Sequence, residues 1–167
     1  MNARRDRPPQ LSLDLGALRQ DPDNRLEPIA NLFGAYLMWA REAGLRHVQR
    51  AVEDPSVRDN IARVSRGPFE EAAKLPPEVL RVAFDLAESA VDAFAKRLLG
   101  ILTSQGTSLR VDRNHAVRFI LTAEIIEDED EEVIFSQEIN RGGRLAFSSR
   151  WGSWLYDYGE RKDPGAL

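Results

Sequence analysis

The hydrophobic period of this chain changes once, and that change limits the folds open to it. Up to residue 102 the apolar residues recur at helical spacing, and from residue 107 onward they alternate. Helices in one run followed by strands in another point to an α+β fold. The expected architecture is three to four N-terminal helices packed on a C-terminal antiparallel β-meander of about four strands. A wound parallel sheet does not suit this order.

The strongest helical signal follows Pro76 and Pro77, where Val79, Ala83, Leu86, Ala90, Phe94, Leu98 and Ile101 keep helical spacing over about seven turns. Arg81, Asp85, Glu88, Asp92 and Lys96 form the opposite stripe. Its i,i+4 pairs are worth only a few tenths of a kcal/mol each, so it reads as a solvated face, with the apolar stripe packed along the sheet. An earlier helix should begin near Asn24 to Pro28, where Asn24 and Glu27 have capping-box spacing, and should bury Ile29, Phe33, Tyr36, Leu37, Ala40 and Val48. Gly44 is expected to end or bend it, and Pro55 to stop it. Val57, Ile61 and Val64 mark a shorter helix that Gly67 and Pro68 close.

Among the strands, Leu109 and Val111 begin the first, and Asp112 to His115 turn into a longer ribbon. In that ribbon Val117, Phe119, Leu121, Ala123 and Ile125 share one face, and Val133, Phe135 and Ile139 repeat the period around an acidic turn. An odd turn, Glu127 to Glu131, sets Ile125 opposite Val133, Ala123 opposite Phe135 and Phe119 opposite Ile139, whereas an even turn slips the register. Gly142-Gly143 signals a hairpin before a further strand at Leu145 and Phe147. Trp151, Trp154, Leu155 and Tyr158 have helical spacing, although Gly152 favours a looser turn.

The expected organisation is a flexible arm at 1–23 and a single domain at 24–159. That domain has helices within 24–102, strands within 107–149 and an aromatic tail at 150–159; residues 160–167 should fray. Within the arm, Leu11, Leu13 and Leu15 alternate and could add an edge strand to a sheet. A chain of 167 residues with 43% hydrophobic content can build one sizeable core. With no cysteine, disulfides, thiolate nucleophiles and cysteine zinc sites are excluded. No apolar run reaches membrane-spanning length, and the expected setting is the cytoplasm.

Charge is distributed unevenly. Glu124 to Glu138 holds eight acids and no base, and the rest of the chain has 23 bases against 19 acids, or +4, although the whole chain is at −4. Arginines 41, 46, 50, 58, 63 and 66 are interleaved with Glu42, Glu53, Asp54 and Asp59, so only small basic patches can form and nucleic-acid binding is not the leading expectation.

Arg110-Val-Asp-Arg-Asn-His115 resembles the R-x4-H element of HEPN-type ribonucleases, in which the arginine and histidine act on the phosphodiester. The resemblance covers six residues and implies Arg110 and His115 as a catalytic pair. In that family the element belongs in a helical bundle, and here it falls in a predicted strand and turn. Asp128, Asp130 and Glu132 alternate as in the opening of a calcium loop, but Val133 stands where that loop needs glycine and Ile139 where it needs glutamate. His47 and His115 are far apart in sequence and support no shared metal site. The serines lack a G-x-S-x-G elbow, and no glycine-rich nucleotide loop is present, so no cofactor is expected.

The function expected from these features is a non-enzymatic protein-binding module: an immunity or antitoxin protein, a chaperone, or a subunit of a bacterial complex. Its contact would be the acidic hairpin tip of Glu127, Asp128, Glu129, Asp130, Glu131 and Glu132 against a basic protein surface. Trp151, Trp154 and Tyr158 either cap the sheet or anchor the partner. The competing readings are a small ribonuclease-like enzyme using Arg110 and His115, and a homo-oligomeric structural protein.

Overall fold

A computed structural model of the chain describes residues 12–103, 109–110, 112–117, 119–127, 129–140 and 147–159. It mixes helix and sheet, as an α+β chain should. The chain divides into two compact units: residues up to 39 together with those from 95 onward, and residues 40–94. No described helix is long and apolar enough to cross a membrane.

The first unit begins with α1 (Leu15–Gln20), where Asp14 Oδ1 accepts the Ala17 N–H at 2.9 Å as an N-cap. Arg25 closes the other end by donating to the carbonyls of Leu18 and Arg19, and its guanidinium lies 4.5 Å from the Phe135 ring centre. Leu15 is therefore helical and not part of an edge strand, while Leu11 lies outside the described residues.

A short 3-10 turn, Pro22–Asn24, leads into α2 (Leu26–Glu53), whose first half buries Ile29, Ala30 and Met38. They pack with Leu99 of α5 (Pro77–Leu102), with Ile139, and with Phe147, Trp151, Trp154 and Leu155 of α6 (Phe147–Tyr158). Phe147, expected in a strand, opens this last helix and is fully buried, stacked on Phe33 at 5.0 Å. Phe147, Trp151 and Leu155 are four residues apart, which sets them on one helical face. Gly152 is exposed and costs about 1 kcal/mol of helix propensity, less than the burial of a single large aromatic returns.

The strands do not form the expected meander. The described residues instead make two separate antiparallel pairs, β1 (Leu109–Arg110) with β2 (Ala116–Val117), and β3 (Thr122–Ile126) with β4 (Val133–Glu138). Asn140 explains part of the break. Its side chain is buried, accepts the Leu121 N–H at 2.8 Å, and donates to the carbonyls of Phe119 at 2.8 Å and Leu102 at 2.5 Å. Backbone groups between β2 and β3 are thus satisfied by a side chain and not by a neighbouring strand.

Within the second pair Ile125 faces Phe135 and Ala123 faces Gln137, and Ile139 donates to Leu121 at 2.9 Å. This register is two residues away from the one expected, so the same face stays inward. The turn from Glu127 to Glu132 is even, and a bulge restores the parity: Ile126 pairs with Val133, leaving Ile134 as the extra residue. Leu121, Ala123 and Phe135 pack on the core, whereas Val117 and Phe119 are exposed.

The second unit comprises the rest of α2, α3 (Pro55–Asp59), α4 (Arg63–Ala72) and α5 as far as Phe94. Gly44 neither ends nor divides α2, and α4 runs through Gly67 and Pro68 to Ala72. Its start is supported by Arg66, which donates to the carbonyls of Asp59 at 2.6 Å and Ile61 at 3.2 Å.

The apolar stripe of α5 expected to pack does not turn inward; the half-buried residues are Leu80, Phe84 and Ala87 beside it, while Arg81, Asp85 and Lys96 stay exposed as expected. Within this unit Val79, Val82, Leu86 and Phe94 are open to solvent, and Glu88 and Asp92, expected on the solvated stripe, reach Arg41. The Arg41 side chain is only 4% exposed and forms 2.6 Å bonds to Glu42, Glu88 and Asp92. Burial alone would lower its pKa, but the bonds to Asp92 and Glu88 and the surrounding negative charge hold it above its usual value. A buried guanidinium with three partners decides which side of α5 turns inward.

Candidate protein-binding site

The acidic turn is built by its own backbone. Glu127 N–H donates to the Glu132 carbonyl at 2.9 Å, Glu131 N–H donates to the Glu127 carbonyl at 3.0 Å, and Asp130 Oδ1 accepts the Glu132 N–H at 3.2 Å. Glu131 stands at a φ of 57°, the left-handed region that favours glycine, so the turn is held in spite of its residue type. Glu127, Glu129, Asp130, Glu131 and Glu132 are all exposed, while Asp128 lies outside the described residues. Among the described residues no base stands within ion-pairing distance of these carboxylates.

An apolar groove of about 300 Å³ flanks the strands that carry the turn. Ile29, Phe33 and Tyr36 of α2 line one wall, and Leu121, Ala123 and Ile125 line the other. Tyr36 is 41% exposed at this groove, and Glu124 adds a carboxylate to its lining. Sequence spacing assigned Ile29, Phe33 and Tyr36 to the core. The exposed tyrosine in that stripe was the available sign of an opening.

The aromatic residues of the tail separate by depth. Trp151 and Trp154 are each 1% exposed and belong to the core, while Tyr158 is 36% exposed and Tyr156 83%. Arg150 is also drawn inward, holding Glu27 through bonds of 2.8 and 2.7 Å and Asn31 at 3.3 Å. The bonds from Arg150 set Glu27 below the usual carboxylate range. Trp154 Nε1 donates to the same Asn31 Oδ1 at 3.3 Å. The two tryptophans are therefore placed to support a surface and not to form one.

His115 sits in a tight exposed turn. Its Nδ1 lies 2.8 Å from both oxygens of Asp112, whose Oδ1 also accepts the N–H groups of Asn114 and His115. The Asn114 N–H, then the His115 ring, lower the Asp112 pKa. The backbone register sets Arg110 opposite Ala116, but the Arg110 side chain lies outside the described residues. Among the described residues no cluster of three or more histidine, aspartate or glutamate side chains is placed to hold a metal ion.

Several arginines that could have faced a nucleic acid are occupied within the molecule. Arg41 is buried among its carboxylates, Arg58 donates to the carbonyls of Val52 and Phe69, and Arg66 binds Asp59 as well as backbone carbonyls. Compared with protein-family models, curated proteins and solved structures, the chain matches none.

Proposed function

We propose that the protein is a non-enzymatic protein-binding module that presents its acidic hairpin turn to a basic surface on another protein. The observation that supports this reading is that the turn's described carboxylates have no described base in reach. All five are exposed together, on a backbone that already spends conformational energy at Glu131. Clustered like charges do nothing for the stability of the hairpin, and a complementary surface removes their mutual repulsion. The groove beside the strands supplies the apolar contact that charge alone lacks, with Tyr36 taking the anchoring role expected of the tryptophans.

Capture from the native host provides the test. The natural chain is compared with a variant in which Glu127, Glu129, Asp130 and Glu132 are replaced by glutamine. A partner held by the natural chain at low salt, released as salt rises, and lost to the variant is the expected result. A partner bound equally by both chains, with the same salt dependence, refutes the reading.

A further inference from the structure

The outward face of α5 has the composition of an interior. Val79, Val82, Leu86 and Phe94 are 45%, 54%, 65% and 68% exposed, and Ala83, Ala90 and Ala93 between them are open as well. At 3.6 residues per turn, Val79, Ala83, Leu86, Ala90 and Phe94 fall on one stripe. The other side of the helix is already engaged through Glu88 and Asp92. Leu80, Phe84 and Ala87 beside this stripe are already half-buried, so the helix is apolar over more of its circumference than one packed side uses. The unit that carries this stretch has little else to hold it, since Ala51 and Val52 are its only fully buried apolar side chains among the described residues.

We propose that this face is a homodimer interface, covered by the same helix of a second copy running antiparallel about a two-fold axis. Three features favour a second copy. With the axis level with residue 88, Leu86 meets the second copy's Ala90, Phe94 meets its Val82 and Ala83 meets its Ala93, so the two largest side chains each face a smaller one, while Val79 lies at the rim beside Arg97. Charge follows the same arrangement: Glu78 at one end comes level with Leu98 and so within one to two residues, about 3 Å along the axis, of Arg97 and Lys96 at the other, twice by symmetry, whereas a parallel pair sets Glu78 against Glu78. The apolar surface open along the helix is on the order of 600 Å², at the upper end for a patch left bare on a monomer and close to the about 800 Å² per partner of a standard interface. This interface uses neither the acidic turn nor the groove, and it stands independently of the partner proposed above.

Sedimentation velocity on the full chain tests it. The natural protein should be a dimer at micromolar concentration. Leu86→Glu and Phe94→Glu should each weaken the dimer at least about 100-fold, because symmetry buries two carboxylates at once. Both positions are exposed in the single chain, so the far-ultraviolet circular dichroism of the variants should match the natural chain. The chain has no cysteine, so one introduced thiol reports orientation cleanly. Ala90→Cys should cross-link with a short bismaleimide, while Val79→Cys should not, its two copies lying about 27 Å apart along the helix axis. A strict monomer, a dimer indifferent to both glutamates, or efficient cross-linking through Val79→Cys overturns the proposal. Association through another face, or with another protein alone, gives one of those results.

Discussion

Replacing Gly34 by alanine sets two opposing effects against each other at one atom. Gly34 is buried in α2, and a β-carbon built there falls within 3.0 Å of three atoms of the Trp154 indole. The ring has little room to withdraw, since it is 1% exposed, lies 5.6 Å from the Phe147 ring and 6.1 Å from the Phe33 ring, and holds Asn31 through its N–H. Alanine improves helix propensity by about 1 kcal/mol. Forcing apart a packed aromatic cluster costs about 3 kcal/mol once the disturbed ring contacts are included. The net expectation is a loss of about 2 kcal/mol. Gly44 provides the control in the same helix, because a β-carbon there meets nothing within 4 Å. Gly44→Ala should gain about 0.5 to 1 kcal/mol. Urea unfolding followed by tryptophan fluorescence and by circular dichroism measures both. If Gly34→Ala proves as stable as the natural chain, the packing of α6 on α2 described above is wrong.

Two further outcomes follow from the ion pairs. Arg41→Gln leaves Glu42, Glu88 and Asp92 facing one another; Glu88 is half exposed, so the loss should be about 2 to 3 kcal/mol, below the full cost of breaking a buried pair. Arg41→Lys should recover only part of it in urea unfolding, since one ammonium cannot match three directed bonds. Glu27 has a folded pKa held below its ordinary value of 4.5 by Arg150, so its contribution is fully present above that value and is lost as pH falls through the lowered one. The natural chain should therefore lose more stability than Glu27→Gln as pH falls from above 4.5 through the lowered value, and parallel curves would remove the pair from the acid response.

The elements legible in the sequence were those with many turns or strict alternation. The helix after Pro76 begins and ends where its periodicity says, and the apolar side of the hairpin is the side that alternation marks. Gly44 misled because a glycine's cost of about 1 kcal/mol is local, whereas α2 has packing on both sides of it to keep it intact. The inward face of α5 was assigned from its longest apolar stripe, although Leu80, Phe84 and Val91 widen the apolar side and leave more than one orientation open. What turned the helix was Arg41, a residue 51 positions from Asp92, and no local pattern announces such a pair. Asn140 is the same kind of case, joining carbonyls and an N–H 19 to 38 residues away. For the candidate site, the charge of the turn was visible from composition, but the groove beside it required knowing that α2 and the strands lie together and leave a gap between them.

The bulge at Ile134 has a bearing on how this hairpin can vary over generations. While Ile126 pairs with Val133, the extra residue is what brings Phe135 opposite Ile125; drawing Val133 into the turn and pairing Ile126 with Ile134 would do the same without a bulge. Losing a single residue from the acidic end can therefore be absorbed by flattening the bulge, with Ile125 still opposite Phe135. The length of the charged tip is thereby decoupled from the core, leaving selection room to adjust its reach without rebuilding the fold beneath it.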